Sequence, residues 1–161
     1  MRQETYSWKN NIWGTRINLY QDKTLLGKMK NFTFKPTSEV ILGDEKYHFE
    51  TKGLFEQYTR IVDKEGRIVG DIDYGAWSNK ATVQLFDKKY FWKADDWMRL
   101  RWRLVDDKGV ALDIQSSYAG KGEIRSEGGS ELLLMTGIFL QNYFMSYGSV
   151  MLMLLLVLLC V

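Results

Sequence analysis

Three arginines recur at alternate positions in Trp97-Met98-Arg99-Leu100-Arg101-Trp102-Arg103-Leu104-Val105. Alternate residues of a strand share one face and stand about 6.8 Å apart. Arg99, Arg101 and Arg103 should therefore form a stripe of guanidinium groups. Lys88, Lys89 and Lys93 come from the preceding segment, expected as the hairpin neighbour, and Trp92 and Trp97 lie between the two groups. A cationic patch interleaved with aromatics would hold an anionic lipid headgroup or a membrane surface. Single-stranded nucleic acid, whose bases stack on aromatic rings, is a less favoured ligand for the same patch. A third reading needs no ligand: the arginines pair with Asp and Glu on neighbouring strands across an outer sheet face.

Other chemistry is sparse. His48, in Tyr47-His48-Phe49-Glu50, is the one histidine, and with no cysteine near it in the chain it makes no recognisable zinc site. No serine sits in a nucleophile-elbow glycine pattern. The carboxylate groups Asp71/Asp73, Asp95/Asp96 and Asp106/Asp107 read as solvated turn or strand residues rather than an acid–base pair. There is no phosphate loop, dinucleotide fingerprint or EF-hand loop. The expectation is a non-enzymatic protein with no cofactor and no metal.

The elements that position the stripe follow from hydropathy. Period-two alternation runs to about residue 126. Met98, Leu100, Trp102 and Leu104 oppose the arginines; Ile68, Ile72 and Tyr74 oppose Arg67, Asp71 and Asp73; Ala81, Val83 and Leu85 oppose Thr82 and Gln84. Between these runs Asp63-Lys64-Glu65-Gly66 and Asp106-Asp107-Lys108-Gly109 place glycine where a short hairpin turns. Around them is an internal echo. The segment from Ile61 to Ile72 resembles that from Leu104 to Ile114, and a fainter copy runs from Leu19 through Asp22 to Gly27. Hairpin after hairpin gives an antiparallel meander of roughly ten to twelve strands, and closing it into a barrel removes exposed edges. A two-sheet sandwich is the alternative that periodicity leaves open.

The pattern changes after Gly128-Gly129-Ser130. Ser130 is placed to cap a helix starting near Glu131. From Leu132 to Val161 there is no charge, although the whole chain carries 22 basic and 20 acidic groups for a net +2. Leu132 to Phe144 is apolar nearly all round, as in a helix buried in protein or lipid. Gln141, Asn142 and Ser146 interrupt the middle, and Tyr147-Gly148 is expected to break the helix. The expectation is a core helix at about 131–146 and a second apolar helix at about 149–160. A twelve-residue helix reaches about 18 Å, so the second piece would dip into a bilayer rather than cross it, or would pack on protein. Cys160, the only cysteine, reads as a small apolar residue of this tail.

An array of about twelve strands followed by the helix Leu132-Leu133-Leu134-Met135-Thr136-Gly137-Ile138-Phe139-Leu140-Gln141-Asn142-Tyr143-Phe144-Met145 resembles the tubby-like barrels, the scramblase and LURP-one relatives. The Asp-x-x-Gly hairpins are similar to that family's strand connections. The resemblance covers about residues 10–146. It implies a closed antiparallel barrel threaded by its own C-terminal helix, and a role with lipid. Two departures limit it. The acidic calcium-binding segment of scramblases is missing, since Ala119 to Ser130 holds only Glu123 and Glu127. The chain also continues from Ser149 to Val161, past the expected helix end. Calcium-driven scrambling is therefore not carried over.

The sequence thus predicts a mainly β protein: a closed antiparallel barrel of roughly 12 strands around a hydrophobic C-terminal helix, with a further apolar helical tail. One domain is expected over 1–148 and the tail over 149–161. The polar, mixed-charge start Met1 to Asn11 is unlike a signal peptide, so a cytoplasmic domain is expected, near the cytosolic face of a membrane. The expected partner is anionic lipid or a membrane surface. The alternatives are a soluble interaction module, with 149–161 meeting a protein partner or a second copy, and a tail anchor carrying a cytosolic β domain.

Overall fold

A computed structural model describes residues 3–32, 35–53, 57–75, 80–95, 100–117 and 119–160, the side chains of 147–155 excepted. The strands are β1 (Glu4–Asn10), β2 (Arg16–Gln21), β3 (Thr24–Asn31), β4 (Thr37–Leu42), β5 (Glu45–Lys52) and β6 (Tyr58–Asp63). They continue with β7 (Ile68–Tyr74), β8 (Lys80–Leu85), β9 (Lys88–Ala94), β10 (Arg101–Asp106), β11 (Gly109–Ser117) and β12 (Lys121–Ser126), and helix α1 (Glu131–Leu159) follows. Each strand pairs antiparallel with the next, and β1 pairs with both β2 and β12, so the meander closes into a barrel. No edge is left to template another chain. The two-sheet alternative is thereby set aside.

Inward side chains alternate with outward ones along every strand, and Ile17, Leu19, Val40, Phe49, Ile72 and Trp102 are fully buried. The echo seen in the sequence has a physical basis. In β2–β3, β6–β7 and β10–β11, every fourth strand around the barrel, register shifts by one residue at the same place. The extra residues are Leu26, Val69 and Ala111, each packed against the core. A bulge of this kind adds local twist and reverses the side-chain phase beyond it. Ile68 is therefore not an inward residue, as simple alternation predicted: it lies past the bulge and is 57% exposed.

The connections sort into two sets. Tight turns (22–23, 43–44, 64–67, 86–87, 107–108) lie at one end of the barrel, here the turn end, where β1 starts and β12 finishes. Strands β1, β3, β5, β7, β9 and β11 finish at the other, the loop end. Ser130 caps α1 as expected, its hydroxyl accepting from Leu133 N at 3.2 Å. Every residue from Leu132 to Gln141 is buried. Gly137 lies against Leu112 and Ile114 of β11, so closely that a Cβ there would come 2.6 Å from Ile114 Cδ1. Phe139 meets Phe49 of β5, Tyr143 stacks on Tyr74 of β7, and Phe144 stacks on Trp102 of β10. Tyr74 ends β7 and Trp102 is the second residue of β10, so α1 has reached the loop end by Phe144.

The expected break at Tyr147-Gly148 is absent: α1 is one helix from Glu131 to Leu159. A single glycine costs a helix interior about 1 kcal/mol. That is too little to stop a helix flanked by strong formers and free of proline.

Candidate functional site

The arginine stripe lies on the outer face of β10, where the register sets Arg103 opposite Lys93 of β9 and Asp113 of β11. Arg101 grips Asp113 with two hydrogen bonds, Nε to Oδ1 at 3.1 Å and Nη2 to Oδ2 at 2.8 Å. Arg103 Nε donates to Asp95 Oδ1 at 2.7 Å, its Nη2 reaches the same oxygen, and Asp95 also stands 3.7 Å from Arg101. Hydrogen bonds from Arg101 hold the Asp113 carboxyl below the usual carboxylate range. They prevail over partial burial, which pushes the other way, and the charges of Arg125 and Arg103 add to the effect. Both described arginines of the stripe are thus matched by carboxylates on adjoining segments, as the ligand-free reading requires.

The aromatic part of the patch is arranged differently from expectation. Trp92 is 1% exposed and stacks on Trp102 inside the barrel, because β9 turns Tyr90 and Trp92 inward and Lys89, Phe91 and Lys93 outward. The outward aromatic is Phe91, with Lys89 Nζ 5.5 Å from its ring centroid. Lys88, Lys89 and Lys93 are exposed. Arg99 and Trp97 lie outside the described residues. Asp95, read from the sequence as a solvated turn residue, instead joins Arg101 to Arg103. Its only signal was its position in the connection leading into the stripe.

Two hairpin-turn carboxylates brace their own turns. Asp106 accepts from the backbone N–H groups of Lys108 and Gly109, at 2.8 and 3.1 Å, and Asp63 accepts from those of Glu65 and Arg67 and from Arg67 Nε. Asp71 has its carboxyl pushed up, by burial first and then by the charge of Asp73. His48 lies on β5 opposite Glu39 and Val62. Among the described residues, no group of three or more His, Cys, Asp and Glu is placed to hold a metal ion. Two open grooves mark the outer surface. One, of about 520 Å³, runs along Tyr47, Asp63, Arg67, Asp71 and Gln84; the other, of about 600 Å³, along Ser7, Lys9, Tyr20, Gln115, Lys121 and Glu123. His48 lines neither of them.

Where α1 reaches the loop end, a small polar cluster surrounds it. Tyr143 donates to Gln57, and the Tyr74 hydroxyl bonds Thr59 Oγ1 at 2.6 Å, which bonds Thr51 Oγ1 at 2.8 Å. Burial pushes the Tyr74 phenol well up, so it stays a neutral hydrogen-bonding group. Beyond this point Leu156, Val157, Leu158 and Leu159 are 54–81% exposed, and Cys160 is exposed beside them. Among the described residues no helix is long and apolar enough to cross a membrane. Comparison with family models, curated proteins and solved structures gave no match.

Proposed function

We infer that this chain is a non-enzymatic barrel that works at a membrane surface, with the first half of α1 as its core and the last turns of α1 as its point of attachment. Three observations support the core assignment. The helix is buried on every side from Leu132 to Gln141. It meets β5, β7, β10 and β11, and also β3 and β4, so its contacts reach well round the barrel. And barrel width grows with strand number: about eight strands can be filled by side chains alone, so twelve need a further filler. The resemblance to tubby-like barrels points the same way.

The exposed run Leu156–Leu159 carries the functional reading. A contiguous exposed apolar surface marks an interaction site, and burying each large aliphatic side chain contributes about 1.5–3 kcal/mol. A bilayer offers that burial without a matching groove. Flotation on lipid vesicles is the test. The full chain is expected to float with vesicles, and a chain ending at Ser146 to remain in the aqueous fraction. A full chain that stays monomeric and unbound would overturn the reading. Concentration-dependent oligomers without flotation would replace it by self-association through the tail.

A further inference from the structure

We propose that the barrel docks end-on: its loop end faces an anionic bilayer, the Ile12-Trp13 turn enters the interface beside α1, and the turn end faces water. The inference rests on the membrane reading above and adds the geometry and lipid charge that the reading leaves open.

The first observation is a second exposed apolar feature at the end reached by Phe144. In the connection between β1 and β2, Ile12 is 95% exposed and Trp13 is 84% exposed. The turn that presents them is braced. Asn11 Oδ1 accepts from the backbone N–H groups of Thr15 and Arg16, at 2.8 and 3.1 Å, and Asn11 Nδ2 donates to Thr15 Oγ1 at 2.9 Å. Asn31 Nδ2, from the end of β3, holds Gly14 O at 3.2 Å. A turn tied at both shoulders, with Ile and Trp at its tip, is already in the shape in which it would meet an interface. Indole favours the headgroup level of a bilayer. α1 leaves at the same end and runs about 22 Å further to Leu159, so one plane can take both features.

The second observation is charge. Strand residues at the loop end include Lys9, Arg16, Lys52, Lys80, Lys93 and Lys121, all exposed. Among the two residues of each strand nearest that end, Asp73 is the one carboxylate, and Asp95, just past β9, is taken up by Arg101 and Arg103. The opposite end is of mixed sign: its turns carry Asp22, Asp44, Glu65, Asp87 and Asp107 against Lys23, Lys64, Arg67 and Lys108, with Glu127 following β12. The barrel is therefore polarised along its axis. An anionic surface attracts the basic rim more strongly than the mixed-sign turn end, so it selects one orientation. A neutral protein groove would accept the apolar tail but gives the rim nothing to recognise.

The experiment places a solvent-sensitive fluorophore at either end of the full-length chain. Cys160→Ser removes the native thiol, and Trp13→Cys or Asp107→Cys supplies the labelling site. Vesicles of phosphatidylcholine alone and of phosphatidylcholine with phosphatidylserine are added, and flotation is recorded on the same samples. The label at 13 is expected to shift blue and resist iodide quenching with the anionic vesicles, while the label at 107 stays quenchable. Lys9→Glu with Lys121→Glu should weaken anionic binding at least about five-fold per charge and leave neutral vesicles unaffected. Flotation with no change at 13, or with a shift at 107, overturns end-on docking and leaves the membrane reading standing. No flotation overturns both. A shift at 13 that follows protein concentration without lipid identifies a second copy as the occupant and also overturns the proposal.

Discussion

Trp102 of β10 and Phe144 of α1 stack with ring centroids 5.5 Å apart and planes 15° from parallel. Trp92 of β9 lies against Trp102 at 5.0 Å and 20°, so three rings tie two adjacent strands to the helix. A stack of this size buries several hundred square ångströms of apolar surface and adds a specific ring–ring term to it.

Phe144→Ala is expected to cost about 3–5 kcal/mol of stability, as aromatic truncations in packed cores do. Trp102→Ala should cost about as much. The double variant should lose less than the sum, because each single change already breaks their shared contact. Urea unfolding of the four proteins measures this. A loss under about 1 kcal/mol for Phe144→Ala would show that this part of α1 is not core.

The Arg101–Asp113 pair makes a pH-dependent claim. Asp113 has a folded pKa below that of a free carboxylate, with the Arg101 hydrogen bonds as the largest lowering cause. Its contribution is therefore fully present above the unfolded pKa of about 3.9 and is lost as pH falls through the folded value. Both groups are partly exposed, so the contribution at neutral pH is modest, below about 1 kcal/mol. Asp113→Asn should lower the urea midpoint slightly at pH 7 and narrow its gap from the parent protein as the pH drops below 4. A gap that stays constant from pH 7 to pH 3 would show that the carboxylate's charge contributes nothing.

The sequence made some of this legible. Alternation gave strand number and, for β8 and β10, the buried face: Ala81, Val83, Leu85, Trp102 and Leu104 all point inward. It failed at Ile68, where a bulge reverses the phase, and bulges leave only a weak trace in hydropathy. Trp92 was misplaced for another reason. Its neighbours Lys89 and Lys93 suggested a surface, yet Trp92 lies one residue out of phase with both. The helix start was readable from Ser130, but not its continuity past Gly148, since local breaking signals are weak beside an apolar run that favours helix. Least visible was the axial polarity. Sorted by topology, the strand ends at the loop end hold Lys9, Arg16, Lys52, Lys80, Lys93 and Lys121, and the turns at the other end mix both signs. Linear order alternates the two sets and so conceals them.

The relation of α1 to the barrel gives the most decisive prediction. Strands that curl into a twelve-membered barrel turn Phe49, Ile72, Trp102 and Ile114 toward a common interior. On the core assignment inferred for α1, those side chains would line a void without it, and a residual cavity costs about 24 cal/mol for each cubic ångström. Total stability is only about 5–15 kcal/mol, so a void of a few hundred cubic ångströms costs an amount of the same size. Ending the chain at Gly129 is expected to leave a protein with poor amide dispersion by NMR and no cooperative unfolding transition. A subtler variant probes the same packing without deleting anything. Gly137→Val puts a branched side chain where Ile114 Cδ1 already stands 2.6 Å from the first added carbon. Overpacking of that kind costs about 1–3 kcal/mol, and Ile114→Ala should restore part of it by opening the space. An appended helix makes the opposite forecast. Residues 1–129 would then give a well-dispersed β spectrum, Gly137→Val would be silent, and the core role inferred for α1 would fall.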